Sequence, residues 1–549
     1  MSAKLAGRLD WSYLEADTGT ELVDHTVGGL LTERAHTHHD VEALVGPRHG
    51  DGAQLRFTYG ELLDEASRVA TALSRLTQPG DYVALWAPNV VEWPVIQYGA
   101  ALAGVVLVAL NPAMRASELR YALQHCGASV LIHADRSRDY DCASVVAEIA
   151  QSFSALRTIS LSSRPQWRAD AVDAAVIAAA PTDPDEAVML QYTSGTTGTP
   201  KGVLLRHRSL INVAKLTVQS AGIPAGAVTV NPLPMFHTAA CVISTLGPMW
   251  IGGTGVLIGR FEPTAVLETL RRTQASVLFF VPTILSSLVA AQGTASNPPP
   301  RLSICLGGAS AVSAELIEAT ERTFGAAVVT VFGQTELASV LTATRPDDAR
   351  ADQLHTVGRA LPQVDCKVVD PATGVVLPVG QPGEICARGY QQMVGYLHDP
   401  EATAETVDAD GFVHTGDIGA MDERGYLTIT GRLKELIIRG GENISPAEIE
   451  ACLSTYDVNA RVCVFGLPDD RLGEVVGAVI ETRDPSPTDL VDRLHAHARK
   501  HLTPHKVPQS WFSTEDLPRT PTGKVRKFAL PDLIANGSVR EISREEPQE

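Results

Sequence analysis

The chain has 549 residues, 44% of them hydrophobic, and a formal net charge of −18. That length exceeds what one hydrophobic core organises, so two or more domains are expected, and the acidic balance speaks against nucleic acid, whose phosphates select basic surfaces. The eight cysteines are scattered and contain no Cys-x-x-Cys, so neither a zinc site nor a disulfide framework is suggested.

The first ten residues lack the apolar run of a signal peptide, and free thiols fit a reducing cytoplasm. Helix-like and strand-like segments then alternate: a helix over 59–76, a strand at 81–86, a helix at 91–102, a strand at 104–110, a helix at 116–125 and a strand at 128–132. The most apolar stretch, 98–110, is too short to span a bilayer, so no transmembrane segment is expected. The alternation, which recurs from 200 to 340, predicts a parallel sheet with helices on both faces.

Between the apolar runs 187–190 and 203–205 lies the sequence Tyr-Thr-Ser-Gly-Thr-Thr-Gly-Thr-Pro-Lys-Gly, residues 192–202. Strand, polar glycine loop, strand is the simplest reading. The hydroxyls of Thr193, Ser194, Thr196 and Thr197, the backbone freedom of Gly195 and Gly198 and the charge of Lys201 are the parts of a phosphate cradle. A solvated turn has a similar composition, and the spacing is not that of a P-loop.

Further along, Pro234-Met235-Phe236-His237-Thr238 holds a histidine that equally suits a packed core, and Gly307-Gly308-Ala309 are small enough for a pocket wall or for tight strand packing. A strand at 327–331 runs into Phe332-Gly333-Gln334-Thr335-Glu336, which sets a hydroxyl and a carboxylate at the carboxyl edge of the sheet. Glutamate is a hard oxygen ligand suited to Mg²⁺. From about 356 to 430 short strands with Gly, Pro and Asp turns predict a small β-rich subdomain, in which His414-Thr415-Gly416-Asp417 reads as a turn. An aspartate there can accept hydrogen bonds from both hydroxyls of a ribose.

Charges cluster at 431–435, around Lys434, and Gly440-Gly441 follows. Ser445 then reads as an N-cap, Pro446 as the first helical residue and Glu448 as the closing residue of a capping box. Strands at 460–465 and 474–481 and a helix at 490–501 complete a compact α+β pattern. The Pro/Gly/Thr loop 519–527 presents Lys524, and the charged tail after Gly537 is expected to fray.

Residues 192–202 look like the phosphate-binding signature of the adenylate-forming superfamily of acyl-CoA synthetases, peptide-synthetase adenylation domains and luciferases. The 332–336 run resembles its second signature, Tyr-Gly-x-Thr-Glu, with Phe332 in place of tyrosine; stacking on an adenine survives that change at the cost of a hydroxyl. Thr415-Gly416-Asp417 is similar to a third. The resemblance covers nearly the whole chain, and within the superfamily Arg388-Gly389-Tyr390 and the 439–446 run are most similar to fatty-acyl and medium-chain acyl-CoA synthetases.

The resemblance implies an α/β fold: a large N-terminal domain, residues 1–431, of two α/β subdomains plus the β-rich one; a hinge at 432–435; and a mobile, small α+β domain at 436–549. It implies a reaction in which a carboxylate attacks the α-phosphorus of MgATP, giving acyl-AMP and pyrophosphate, after which coenzyme A takes the acyl group. The 193–201 loop would hold phosphates, Glu336 Mg²⁺, Thr335 the α-phosphate, Asp417 and Arg432 the ribose, and Lys524 the charge of the transition state. Gly308, Phe332 and Gly333 would face the nucleotide, and Gly440 and Gly441 the coenzyme A channel. His237, Thr238, Cys241, Gly307 and Ala309 would line the acyl pocket, with His237 beside the reacting carboxylate.

ATP, Mg²⁺ and coenzyme A are the implied cofactors, and a small carboxylate the implied substrate. Transfer to a carrier-protein thiol, activation of an unusual anion such as nitrite, and a homodimer remain open. A binding protein on an inactive scaffold is the reading from another class; the joint presence of Lys524, Glu336 and Asp417 argues against it.

Overall fold

The computed structural model describes residues 8–193, 200–439, 442–456, 461–469, 471–484, 487–519 and 525–542. They fall into two compact units, one of residues 1–367, 386–415 and 421–428 and the other of 368–385, 416–420 and 429–549.

The first unit is built on two sheets. One has seven strands in the order Gly395–Tyr396, Lys201–Arg206, Ala187–Thr193, Val106–Leu110, Tyr82–Trp86, Val130–His133, Arg157–Ser160. Its last five strands are parallel, and the first two are added antiparallel. The central strands read as continuous apolar runs because helices cover both faces: Trp86, Val108, Leu131 and Leu190 share one buried cluster with Leu119 and Leu123 of the helix Ala116–Cys126. The helix Tyr59–Leu73 starts where the sequence predicts, with Thr58 and Glu61 closing a capping box.

The other sheet has nine strands. Six run parallel in the order Ala327–Phe332, Ile304–Gly308, Val277–Phe280, Val228–Asn231, Thr254–Leu257, Glu42–Pro47. Antiparallel strands close both edges. The two α/β subdomains expected from the sequence are these two sheets with their helices.

The stretch expected to be β-rich carries the strands Val364–Val369, Gly383–Gly389, Val413–Met421 and Leu427–Arg432. The Thr415-Gly416-Asp417 run is not a turn between strands, as its composition suggests, but lies inside Val413–Met421. Gly416 adopts φ +69°, a left-handed kink that an L side chain resists, so the turn signature marks a bend within the strand.

The second unit centres on a six-stranded sheet in the order Glu442–Ile444, Ile437–Arg439, Gly473–Glu481, Ser510–Thr514, Arg540–Ile542, with Arg461–Asp469 also paired to Gly473–Glu481. The helices Pro446–Ser454 and Thr488–His501 pack Ile449, Leu453, Leu494 and Ala498 against Val464, Val476 and Trp511 of the sheet. Two expectations fail here. Ser445 occupies the N-cap position but makes no capping bond; its hydroxyl donates instead to the Thr430 carbonyl, while Glu448 takes the Lys506 ammonium at 2.6 Å. A tertiary carbonyl and a tertiary cation have outcompeted the local capping box. The tail is not frayed throughout either, since Arg540–Ile542 pairs antiparallel with Ser510–Thr514, three consecutive residues against Trp511 to Ser513.

Candidate active site

The strands flanking the glycine loop pair in register from Met189↔Leu205 to Thr193↔Lys201, so the ends of the loop stand opposite each other. Ser194, Gly195, Thr196, Thr197 and Gly198 lie outside the described residues. One helix, Ala116–Cys126, holds both shoulders of the loop: the Tyr192 hydroxyl donates to the Ala122 carbonyl at 2.9 Å, and the Tyr121 hydroxyl to the Pro200 carbonyl at 3.1 Å. His125 Nδ1 is 3.0 Å from the Tyr192 hydroxyl, and burial, then the nearby His398, hold its pKa below the ordinary histidine value. None of these tethers was read from the sequence; Tyr121 and Tyr192 carry no local sign of their partners.

Thr335 and Glu336 lie on the 3-10 turn Thr335–Leu337, which follows the strand Ala327–Phe332. Gly333 is required by the turn between them, because a β-carbon would lie 2.3 Å from the Ser339 carbonyl oxygen. Glu336 meets one segment twice: its carbonyl accepts from the Met393 N–H at 2.9 Å, and its Oε1 accepts from the Tyr396 hydroxyl at 2.8 Å. The ring of Tyr396 also faces Lys201, with Nζ 4.7 Å from the centroid. The structure therefore joins Lys201 and Glu336, which are distant in sequence, through a tyrosine that sequence reasoning missed. Its only signal is the short run Met393-Val394-Gly395-Tyr396 before Asp399-Pro400, which reads as an edge strand.

The expected pocket residues are less closely gathered. His237 stacks obliquely on Phe236 with ring centroids 4.2 Å apart, Thr238 is buried, and a single π-turn, Ala239–Ile243, follows. Such turns recur at functional sites. Cys241, fully buried on that turn, takes the Gln191 amide at 3.2 Å, so its thiol is tied to the strand that leads into the glycine loop, and burial pushes its pKa upward. Gly307 and Gly308 end a buried strand where β-carbons would lie 2.0 Å from the Phe280 and Val331 carbonyl oxygens. Strand packing alone thus demands both glycines. Ala309, exposed just beyond, holds φ +69°, and Ala338 (φ 52°) follows the neighbouring strand's turn. Positive φ at non-glycine residues costs energy and concentrates at functional sites.

In the second unit Asp417, 3% exposed, accepts from Arg432 Nε at 2.7 Å. The two residues assigned to a ribose are thus neighbours, and the guanidinium offsets the desolvation of the buried carboxylate. Lys434 is exposed on the 3-10 turn Leu433–Glu435. Gly440, Gly441 and Lys524 lie outside the described residues. All eight cysteines are free, and burial pushes Cys126 and Cys142 up to about 11, so neither is a thiolate nucleophile.

Residues 31–397 match the AMP-binding enzyme family and residues 448–524 the AMP-binding enzyme C-terminal domain. The chain belongs to the AMP-binding enzyme family. It is 36% identical over 501 residues, 87% of this chain and 93% of the relative, to a Rhodococcus jostii CoA ligase whose named acyl group is a propanoyl chain on a methyl-dioxo-octahydroindenyl ring system. It is 30% identical over 558 residues, 94% of this chain and 89% of the relative, to the mitochondrial medium-chain acyl-CoA ligase ACSF2 of Homo sapiens. Among solved structures, the o-succinylbenzoate coenzyme A synthetase MenE of Bacillus subtilis, in complex with ATP and magnesium ion, matches with a TM-score of 0.78 at 26% identity over 92% of this chain and 99% of that one.

Proposed function

We propose that this site activates a small carboxylate by adenylation and that each residue acts as follows. The overall reaction is ATP-dependent acyl-CoA ligation through an acyl adenylate, as the family and its acyl-CoA ligase members support. The observation that carries the assignment to this site is the Lys201–Tyr396–Glu336 contact, which draws a phosphate-loop cation and a hard carboxylate ligand together.

The glycine loop binds the phosphates, and Thr335 the α-phosphate. Glu336 offers Mg²⁺ its second carboxylate oxygen, which makes no hydrogen bond among the described residues. The ion supplies charge neutralisation along the phosphates when bound. Asp417 and Arg432 hold the ribose. The substrate carboxylate oxygen attacks the α-phosphorus, and the bond to pyrophosphate breaks. Lys524 offsets the charge that develops as two anions meet, so catalysis is positioning and electrostatics. In the second half-reaction the small domain turns about Lys434, Gly440 and Gly441 line the coenzyme A channel, and the thiol displaces AMP from the acyl carbon.

Among the described residues no helix is long and apolar enough to cross a membrane. Placement in the cytoplasm, and coenzyme A rather than a carrier-protein thiol as acceptor, complete the proposal. A panel of carboxylates, with nitrite included, is to be screened for pyrophosphate release, then for thioester on adding coenzyme A or carrier protein. One acid giving both products supports the reading; release with nitrite alone overturns it. Lys524→Ala should slow adenylation roughly a hundredfold or more while sparing thioester formation from supplied acyl-AMP. Pyrophosphate release at the wild-type rate would remove Lys524 from this role.

A further inference from the structure

The strand Gly395–Tyr396 pairs antiparallel with Lys201–Arg206, with Val203 opposite Tyr396 and Leu204 opposite Gly395. Side chains alternate along a strand, so Lys201 shares a face with Val203 and is the diagonal neighbour of Tyr396, within reach of a long side chain. The Lys201 Nζ lies over that ring and makes no ion pair among the described residues. On its other side Tyr396 donates to Glu336 Oε1 at 2.8 Å, and three residues earlier the Met393 N–H fixes the Glu336 carbonyl at 2.9 Å. Lys201 belongs to the seven-stranded sheet and Glu336 follows a strand of the nine-stranded one, both within the first unit. Tyr396 therefore closes the gap between two sheets at the point where their ligand-binding residues meet.

A phenol is suited to this place. Its hydroxyl donates a charge-assisted hydrogen bond to one carboxylate oxygen, which fixes the rotation of the carboxyl group and leaves the other oxygen for a cation. Its ring face attracts an ammonium without neutralising it, which a carboxylate in the same position would do.

We propose that Tyr396 is a positioning residue for the metal–phosphate end of the adenylation site: its hydroxyl orients the Glu336 carboxylate toward the divalent cation, and its ring keeps the Lys201 ammonium aimed at the phosphates. This rests on the roles proposed above for Glu336 and Lys201.

The test compares wild type with Tyr396→Phe, which removes only the hydroxyl, and Tyr396→Leu, which removes the ring face as well. Binding of Mn²⁺, as the probe ion, is read by electron paramagnetic resonance in the presence of α,β-methylene-ATP. Acid-dependent pyrophosphate release is then followed against Mg²⁺ and against ATP. Outer-shell partners of a metal ligand change affinity by roughly tenfold or more. Tyr396→Phe should weaken Mn²⁺ binding, and raise the Mg²⁺ concentration for half-maximal rate, by roughly that factor, with the KM for ATP at saturating Mg²⁺ unchanged. Tyr396→Leu should raise the KM for ATP in addition. Thioester formation from supplied acyl-AMP should match wild type in both variants.

Wild-type Mn²⁺ binding in Tyr396→Phe overturns the proposal. So does an equal loss in both half-reactions with a lowered melting temperature, since that marks a packing role. Failure of wild type to release pyrophosphate with any acid strikes instead at the adenylation reading, while the Mn²⁺ measurement still reports on Tyr396.

Discussion

His207 is 2% exposed at the start of the helix His207–Ser220, and its Nδ1 accepts from the Val27 N–H at 3.0 Å. A proton on Nδ1 would destroy that bond and bury a charge, and burial lowers the His207 pKa to about 4. The unfolded chain takes up the proton near the ordinary value of about 6.5. Because the folded pKa is depressed, the stabilisation is fully present above the unfolded value, falls as pH drops from about 6.5 toward 4, and is gone below the folded pKa, amounting to roughly 3 kcal/mol. Urea midpoints should therefore fall between pH 7 and pH 5. His207→Asn, whose amide oxygen stands near the position of Nδ1, should flatten this dependence; an unchanged slope would assign the proton uptake to another group.

At the scale of an element, the helix Pro446–Ser454 shows how tertiary partners override a local signature. Its sequence carries every mark of a capping box, yet Ser445 reaches back to Thr430 and Glu448 pairs with Lys506. A capping residue and a cross-link lose different things on truncation. Ser445→Ala should cost about 1 kcal/mol, the net worth of one hydroxyl–carbonyl bond, without speeding amide exchange in the first helical turn. Faster exchange confined to Ala447, Glu448 and Ile449 would restore the capping reading. The same lesson applies to the helix Ala116–Cys126, whose tyrosine and alanine positions grip both shoulders of the glycine loop although nothing in its own amphipathic pattern announces it.

For the whole molecule, the proposed hinge at Lys434 carries its own test. Lys434 sits on a short 3-10 turn, between the strand Leu427–Arg432 and the strand Ile437–Arg439. Proline there would fix φ and remove a backbone donor. Lys434→Pro should leave adenylate formation largely intact and slow thioester formation roughly tenfold or more, as measured by single-turnover assays of each half-reaction. Equal losses in both would move the hinge elsewhere.

Much of this protein is determined locally and is therefore legible along the chain. Apolar runs bounded by turn residues define the strands Tyr82–Trp86, Val106–Leu110 and Ala187–Thr193 to within two or three residues, because a buried parallel strand must be apolar on both faces. The glycine loop, the Thr335–Glu336 pair and Asp417 are likewise visible as residue types suited to the anion, cation and ribose roles proposed for them, and Arg432 through the family resemblance. The tertiary structure decided what depends on residues far apart in sequence. It showed that Thr415-Gly416-Asp417 bends a strand rather than ending one, that Gly307 and Gly308 are required by neighbouring carbonyls, and that Cys241 turns its thiol to Gln191. It also placed Tyr396 between Lys201 and Glu336. A hydrogen bond across 60 residues, from a strand of one sheet to the turn after a strand of another, is fixed by tertiary structure, and no local pattern of apolar and polar residues encodes which tyrosine will reach which carboxylate.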